Sequence, residues 1–175
     1  LGRYFVRSSN HLVWFHNAPQ YWVRSMDHAP YFWNERDGEK PSTQMKNIAI
    51  DNEVNSIVVM AMLNSTIFYI WFIVRSDCRH LNMREITSFP ANLDLLLPST
   101  RKDLNALGKS IADDLKNNSA RKQAFYKTTG KVEYDEFDPK LSKRLFDEVD
   151  TALAQYYGFT PAELDYIINY DIKYR

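Results

Sequence analysis

Apolar positions fall into two regimes along this chain. Through residues 1–50 they come in short aromatic runs: YFV at 4–6, LVWF at 12–15, QYWVRSM at 20–26, PYFWNE at 30–35 and KNIAI at 46–50. Such runs, bounded by Ser, Asn, Gly and Pro, predict short strands. Breaks fall at Ser8-Ser9-Asn10, Asn17-Ala18-Pro19 and Ala29-Pro30, and Asp37-Gly38 marks a turn inside the polar loop NERDGEKPST. From about residue 52 the apolar period becomes helical. One helix is expected over 52–74, a short turn of helix over 83–87 stopped by Pro90, and another helix over 100–117 on Leu104, Leu107, Ile111 and Leu115. Thr100 is the expected N-cap of the last of these, with Asp103 at its third helical position. The stretch NNSARKQAFYKTTGK, 117–131, reads as a basic polar connection. Leu141, Leu145, Phe146, Val149, Leu153 and Tyr156 then mark one face of a helix ending near Gly158. Thr160-Pro161-Ala162-Glu163 combines a cap, a first-turn Pro and a capping-box Glu, and opens a final helix with Leu164, Ile167 and Ile168 on one face.

These elements predict an α+β fold. A small, irregular, aromatic-rich sheet from the N-terminal half packs with helices running from about residue 52 to the C-terminus. Residues 1–99 form a region of sheet and long helix, and 100–175 a helical region. The start, LGRYFVRSSN, has no initiator Met and no signal-peptide pattern, so the chain is expected to be one domain cut from a longer, cytoplasmic polypeptide. Residues 57–74 are long enough and apolar enough to imitate a membrane span. Asn64, Ser65 and Thr66 sit at the middle of that run, where lipid penalises polar groups, so a buried core helix is the expectation. In such a helix the Asn64-Ser65-Thr66 glycosylation triplet carries no meaning.

Charge narrows the function classes. The 22 basic and 22 acidic residues cancel, which argues against a general electrostatic coat for DNA. The distribution is uneven: 101–131 holds eight basic and three acidic residues, whereas 133–171 holds three basic and ten acidic. The first run suits phosphates and the second repels them, although either also serves as a solvated face. A single cysteine leaves no disulfide framework.

The candidate chemistry thins out on inspection. Cys78 has Asp77 beside it and His80 two residues on, with Arg75 and Arg79 nearby to lower a thiol pKa. After so apolar a helix, a cysteine is more often a small buried core residue, and His80 a structural hydrogen-bonder. The four histidines, His11, His16, His28 and His80, pair at no metal-site spacing. No phosphate loop is present. Asp135-Glu136 and Asp147-Glu148 are sequence neighbours and would diverge on a helix. What remains is a polar cluster among the aromatic strands: Arg24, Asn34, Arg36, Lys40, Ser42, Thr43, Gln44 and Lys46. Arg, Lys, Asn and Gln are the side chains that read base edges, and Ser and Thr contact phosphates.

Three long segments carry a resemblance. YWVRSMDHAPYFWNERDGEKPSTQMKNI, LNSTIFYIWFIVRSDCRHLNMREITSFP and YDEFDPKLSKRLFDEVDTALAQYYGFTPAELDYIINYDIKYR resemble, in this order, the C-terminal part of bacterial type II restriction–modification DNA methyltransferases. The similar enzymes methylate the exocyclic amine of adenine and carry a TaqI-like C-terminal specificity domain, some fused to a restriction endonuclease. The first 20 residues and 91–130 match loosely. In that family an upstream domain binds S-adenosylmethionine and carries an N-P-P-Y or D-P-P-Y motif for the flipped adenine. This chain has neither feature; Asn169-Tyr170 lacks the prolines. The resemblance therefore implies a target-recognition domain without a catalytic centre of its own. Its partners would be double-stranded DNA and the upstream methyltransferase domain, and S-adenosylmethionine would be the parent's cofactor. Within such a domain, base readout is expected from the polar cluster around Arg24, Asn34, Arg36, Lys40, Ser42, Thr43 and Lys46. Backbone contact is expected from Arg79, Arg84, Arg121 and Lys122, with Cys78 packed beneath the 76–84 loop. Two rival expectations are a protein-interaction module built on the acidic C-terminal helices and a thiol enzyme using Cys78.

Overall fold

The alternation Leu12-Val13-Trp14-Phe15-His16 buries Val13 and Phe15 and leaves Leu12, Trp14 and His16 half-buried, as a strand with one core face requires. A computed structural model describes residues 1–171 and shows this strand, β1 (Leu12–His16), at the centre of a three-stranded antiparallel sheet. On one side lies β2 (Ser25–Met26); on the other, β5 (Met45–Ala49) pairs Ala49 with Leu12 and Met45 with His16. A second antiparallel sheet has the order β4-β3-β7-β6, formed by β3 (Phe32–Asn34), β4 (Gly38–Glu39), β6 (Ala120–Tyr126) and β7 (Gly130–Glu136). With six α-helices beside these sheets among the described residues, the α+β expectation holds.

Several local expectations are corrected. The 117–131 stretch is no connection. It supplies β6 and the turn of a long hairpin that interrupts the helical half and closes the second sheet against β3. Cross-strand pairs of opposite charge or polarity hold it: Arg121 with Asp135, Gln123 with Glu133. Gly130 turns the hairpin at φ +70°, and a Cβ there would lie 2.2 Å from the Glu35 carboxylate. That carboxylate accepts the Lys131 N–H, tying the β3 turn to β7. Residues 2–4 form a 3-10 turn, with only Phe5 bridging to Ile50, and 20–24 are irregular rather than extended. Helix α4 (Pro98–Asn117) starts two residues early, at Pro98, and Thr100 lies buried inside it instead of capping it.

The long apolar helix is two helices. α1 (Glu53–Asn64) and α2 (Thr66–Arg75) meet at Ser65 with a bend of 69°. Ser65 adopts an extended conformation, and its hydroxyl accepts the Phe68 N–H as the α2 cap. The side chain of Asn64 accepts hydrogen bonds from Trp22 Nε1 (3.0 Å) and the Ser25 N–H (3.1 Å), and donates to the Ser25 and Met60 carbonyls. Polar residues that looked costly in a continuous helix thus satisfy a break in it. Among the described residues no single helix is long and apolar enough to cross a membrane.

α3 (Met83–Thr87) carries the Asn82–Glu85 capping box. α5 (Pro139–Tyr157) ends at Gly158, φ +71°, and α6 (Pro161–Asn169) follows from the Thr160–Glu163 box. Leu145, Phe146, Val149 and Leu153 of α5 enter the core, while Leu141 faces solvent. α4 lies close against α1: a Cβ at Gly108 would meet Ile57 Cγ2 at 2.6 Å and its carbonyl oxygen at 2.7 Å. Phe15, Phe68, Phe72 and Phe146 fill one core shared by the first sheet and the helices from both halves of the chain.

Candidate nucleic-acid interface

Where the two sheets meet, the C-terminal end of β1, the segment leading into β2 and the loop before β5 face the β3–β7 surface across a cleft of about 480 Å³. His16, Arg24, Ser42, Thr43 and Gln44 come from the first side; Phe32, Tyr126, Val132 and Tyr134 from the second, with Thr129, Asp135, Glu136 and Phe137 completing the lining. Strand alternation explains the second wall. Phe32 opposes Tyr134, and Tyr134 opposes Lys122, so these side chains share one sheet face with Val132 and Tyr126.

Arg24 is the unusual group. Its backbone carbonyl accepts the His16 N–H, which ties this segment to the end of β1 beside the cleft. The guanidinium lies 5.1 Å from the centroid of the Phe137 ring, and its one polar contact among the described residues is the Met45 sulfur at 3.9 Å. The Nε is buried with no acceptor. Burial alone pulls the Arg24 pKa down to about 10, still high enough to keep the cation at neutral pH. Taking a charge out of water without a partner is expensive, and an arginine brings five donors to be satisfied. Beside it, burial is the main cause that lowers the His16 pKa; the Arg24 cation adds to it, and the Gln44 and Ala18 hydrogen bonds oppose it.

The other residues assigned to base readout are not all gathered here. Asn34 is buried and closes its own turn, accepting the Asp37 N–H and donating to the Asp37 carboxylate. Arg36 and Lys40 both pair with that carboxylate, and Asp37 is held well below the usual carboxylate range by Arg36 first and Lys40 second. Lys46 is exposed on β5 opposite Phe15. So Arg24, Ser42 and Thr43 share one cleft with Gln44, whereas Asn34, Arg36 and Lys40 build a self-satisfied turn.

Three of the four residues assigned to backbone contact are paired within the chain. Arg84 holds the Glu85 carboxylate. Burial opposes ionisation of Glu85, but Arg84 and the Asn82 N–H outweigh it and lower its pKa. Arg121 lies 3.5 Å over the Tyr31 ring and bonds Asp135 at 2.6 Å, and Lys122 sits 3.6 Å from Glu136. Arg79 is exposed and makes no ion pair among the described residues; its backbone N–H bonds Asp77.

Two features escaped the sequence reading. The hairpin end presents Phe125, 78% exposed, and Tyr126, 55% exposed, beside Lys127. The signal was available: Phe125-Tyr126 and Val132-Tyr134 are strand formers flanking a Thr-Thr-Gly turn. His16, weighed only as a metal ligand, is a neutral wall of the cleft. Among the described residues no three His, Cys, Asp or Glu side chains gather as a metal site.

Cys78 is not packed beneath the loop. It is exposed in the left-handed region at φ +57°, and its thiol donates to the Ile73 carbonyl at 3.2 Å. His80 lies toward Asp77, 4.0 Å away. Native alkylation of an exposed thiol is therefore expected whatever its role, and labelling speed alone no longer separates a catalytic from an ordinary cysteine. Comparison of the chain with protein-family models, with curated proteins and with solved structures finds no match.

Proposed function

We propose that this chain is the DNA target-recognition domain of an adenine-specific methyltransferase in a bacterial restriction–modification system. It would act in the cytoplasm, while an upstream domain of the parent binds S-adenosylmethionine and transfers the methyl group. The resemblance of the three long segments suggests the role, and one observation carries it: Arg24, a half-buried cation whose Nε has no acceptor, shares a cleft with Gln44, Ser42 and Thr43. These are donors and acceptors suited to nucleic acid; Gln44 bonds His16 and the Ser42 hydroxyl accepts the Gln44 N–H, while the Arg24 Nε has no partner. The balanced net charge suits a domain that forms one wall of a DNA cleft and depends on its neighbour for most phosphate contacts.

The test is selection of a randomised duplex pool by the chain at low and moderate salt, with sequencing of the retained fraction. An enriched motif supports the reading. If neither this chain nor the longer parent enriches any sequence, target recognition is not its function.

A protein-interaction role has its own observation. Ile70, Trp71, Val74, Phe89 and Phe159 line an apolar groove of about 340 Å³ between α2 and α6. Truncating 138–175 would remove Phe146 and Val149 from the core, so loss of assembly after truncation proves nothing. Val74→Asp is the cleaner probe, since Val74 is 72% exposed. Loss of a partner subunit with DNA selection intact would favour the interaction reading.

A further inference from the structure

The cleft around Arg24 is concave, and this limits what can reach its guanidinium. A base held in a stacked duplex offers only its edge at a groove, whereas the Arg24 Nε is buried. A group that meets it must enter the cleft. It must also bring acceptors without donors, because every polar hydrogen on a guanidinium is a donor. Among the bases, the N7–O6 edge of guanine presents two acceptors side by side. Adenine presents an acceptor and a donor there; a cytosine out of the stack can turn its adjacent N3 and O2 acceptors, but offers a smaller ring to an aromatic wall. A phosphate also brings only acceptors, and Asp135 and Glu136 at the cleft are paired with Arg121 and Lys122, so it is the shape of the wall rather than charge that argues against it. The remaining wall, Phe32, Tyr134 and Phe137, suits the flat face of a ring.

We propose that this cleft takes one unstacked guanine, with the Arg24 fork on O6 and N7 and the ring against the aromatic wall. The proposal deepens the DNA-recognition reading, on which it rests for the source of the base. Taking a base out of the stack is the general solution when a protein must enclose it. Arg24 is then the residue that sets a guanine preference at one position of the site.

The experiment titrates the 175-residue chain with GMP, IMP, AMP, 7-deaza-GMP and inorganic phosphate, following the resonances of His16 and Tyr134. All four nucleotides carry the same phosphate, so differences among them report the base. GMP and IMP, which share O6 and N7, are expected to bind alike. AMP and 7-deaza-GMP are expected to bind about tenfold or more weakly, the scale of one good bidentate contact. Arg24→Met should erase the difference, whereas Lys109→Ala, an equal loss of charge at an exposed position outside the cleft, should preserve it. Equal binding of AMP and GMP, equal displacement by phosphate, or no nucleotide effect in the cleft would overturn the proposal.

The duplex selection separates this result from the broader reading. A guanine preference in nucleotides without any DNA enrichment leaves the pocket standing and removes the DNA role. DNA enrichment that Arg24→Met leaves unchanged at every position, with no nucleotide preference, keeps the DNA role and removes the guanine pocket.

Discussion

Asp150 is a fully buried charged group and Arg24 a half-buried one with a buried Nε, and the fold treats them in opposite ways. Asp150 is fully buried, on α5, and its two carboxylate oxygens accept the first free N–H groups of α2, from Thr66 and Ile67, each at 3.1 Å. That is a charge placed at a helix N-terminus, where the orphan donors and the helix dipole both favour it. Arg24 has a ring and a sulfur for neighbours and no acceptor for its Nε. A buried charge whose bonds are met within the chain is architecture. One with an unmet bond lowers stability, a cost that the proposed ligand would offset. The two sites lie on one mechanical line, because Asn64, at the α1–α2 break, grips both backbone groups of Ser25, the residue after Arg24.

The sharpest way to break the contrast is to remove the satisfied charge. Asp150→Ala strands two N–H groups in the core and is expected to cost about 3–5 kcal/mol in chemical denaturation. Asp150→Asn keeps one acceptor and should cost clearly less. If Asp150→Ala denatures at the wild-type midpoint, the carboxylate is not the anchor of α2.

Next in size is the link between the regions. Asn64→Ala leaves the Trp22 Nε1–H and both Ser25 backbone groups without their partner, for an expected loss of about 2–4 kcal/mol. It should also loosen the Arg24 segment. A variant that remains folded at low temperature is therefore expected to lose DNA selectivity beyond what its stability accounts for. Stability loss with unaltered selectivity would show that the clamp serves the core alone.

The unsatisfied charge predicts the reverse sign. Arg24→Met removes a half-buried cation with an unmet Nε and supplies an apolar chain of similar reach, so stability should hold or rise by about 1 kcal/mol while binding of the proposed ligand falls. A drop comparable to that of Asp150→Ala would mean that Arg24 is structural.

How far the sequence carried this picture follows from the same physics. Helices α4, α5 and α6 were legible because each buries one periodic face, and the Thr160–Glu163 box announces its own start. The β6–β7 hairpin was not, because β6 is exposed along almost its whole length and shows no alternation of apolar residues to read. The break at Ser65 was hidden for a different reason. Its cost is met by Asp150, 84 residues from Thr66 and invisible to any local pattern. The polar cluster was legible as composition. Which members face a cleft and which, like Arg36 and Lys40, neutralise Asp37 depends on a turn that only the fold fixes.

The smallest expected effect is a titration that couples the cleft to its own cation. His16 has its pKa lowered, by burial first and by Arg24 second. The unfolded chain, with an ordinary value near about 6.5, therefore takes up the proton first as pH falls. The stability that neutral His16 contributes is complete above that value and is lost as pH drops from there through the folded pKa. Comparing denaturation midpoints at neutral and mildly acidic pH should show this loss in the wild type and less of it in His16→Gln. In Arg24→Met the His16 resonances should titrate at higher pH than in the wild type, yet still below the ordinary histidine value, because burial is the larger cause. A His16 titration that Arg24→Met does not move would mean that the guanidinium is screened from the imidazole by water, and that the cleft is wetter than its aromatic walls imply.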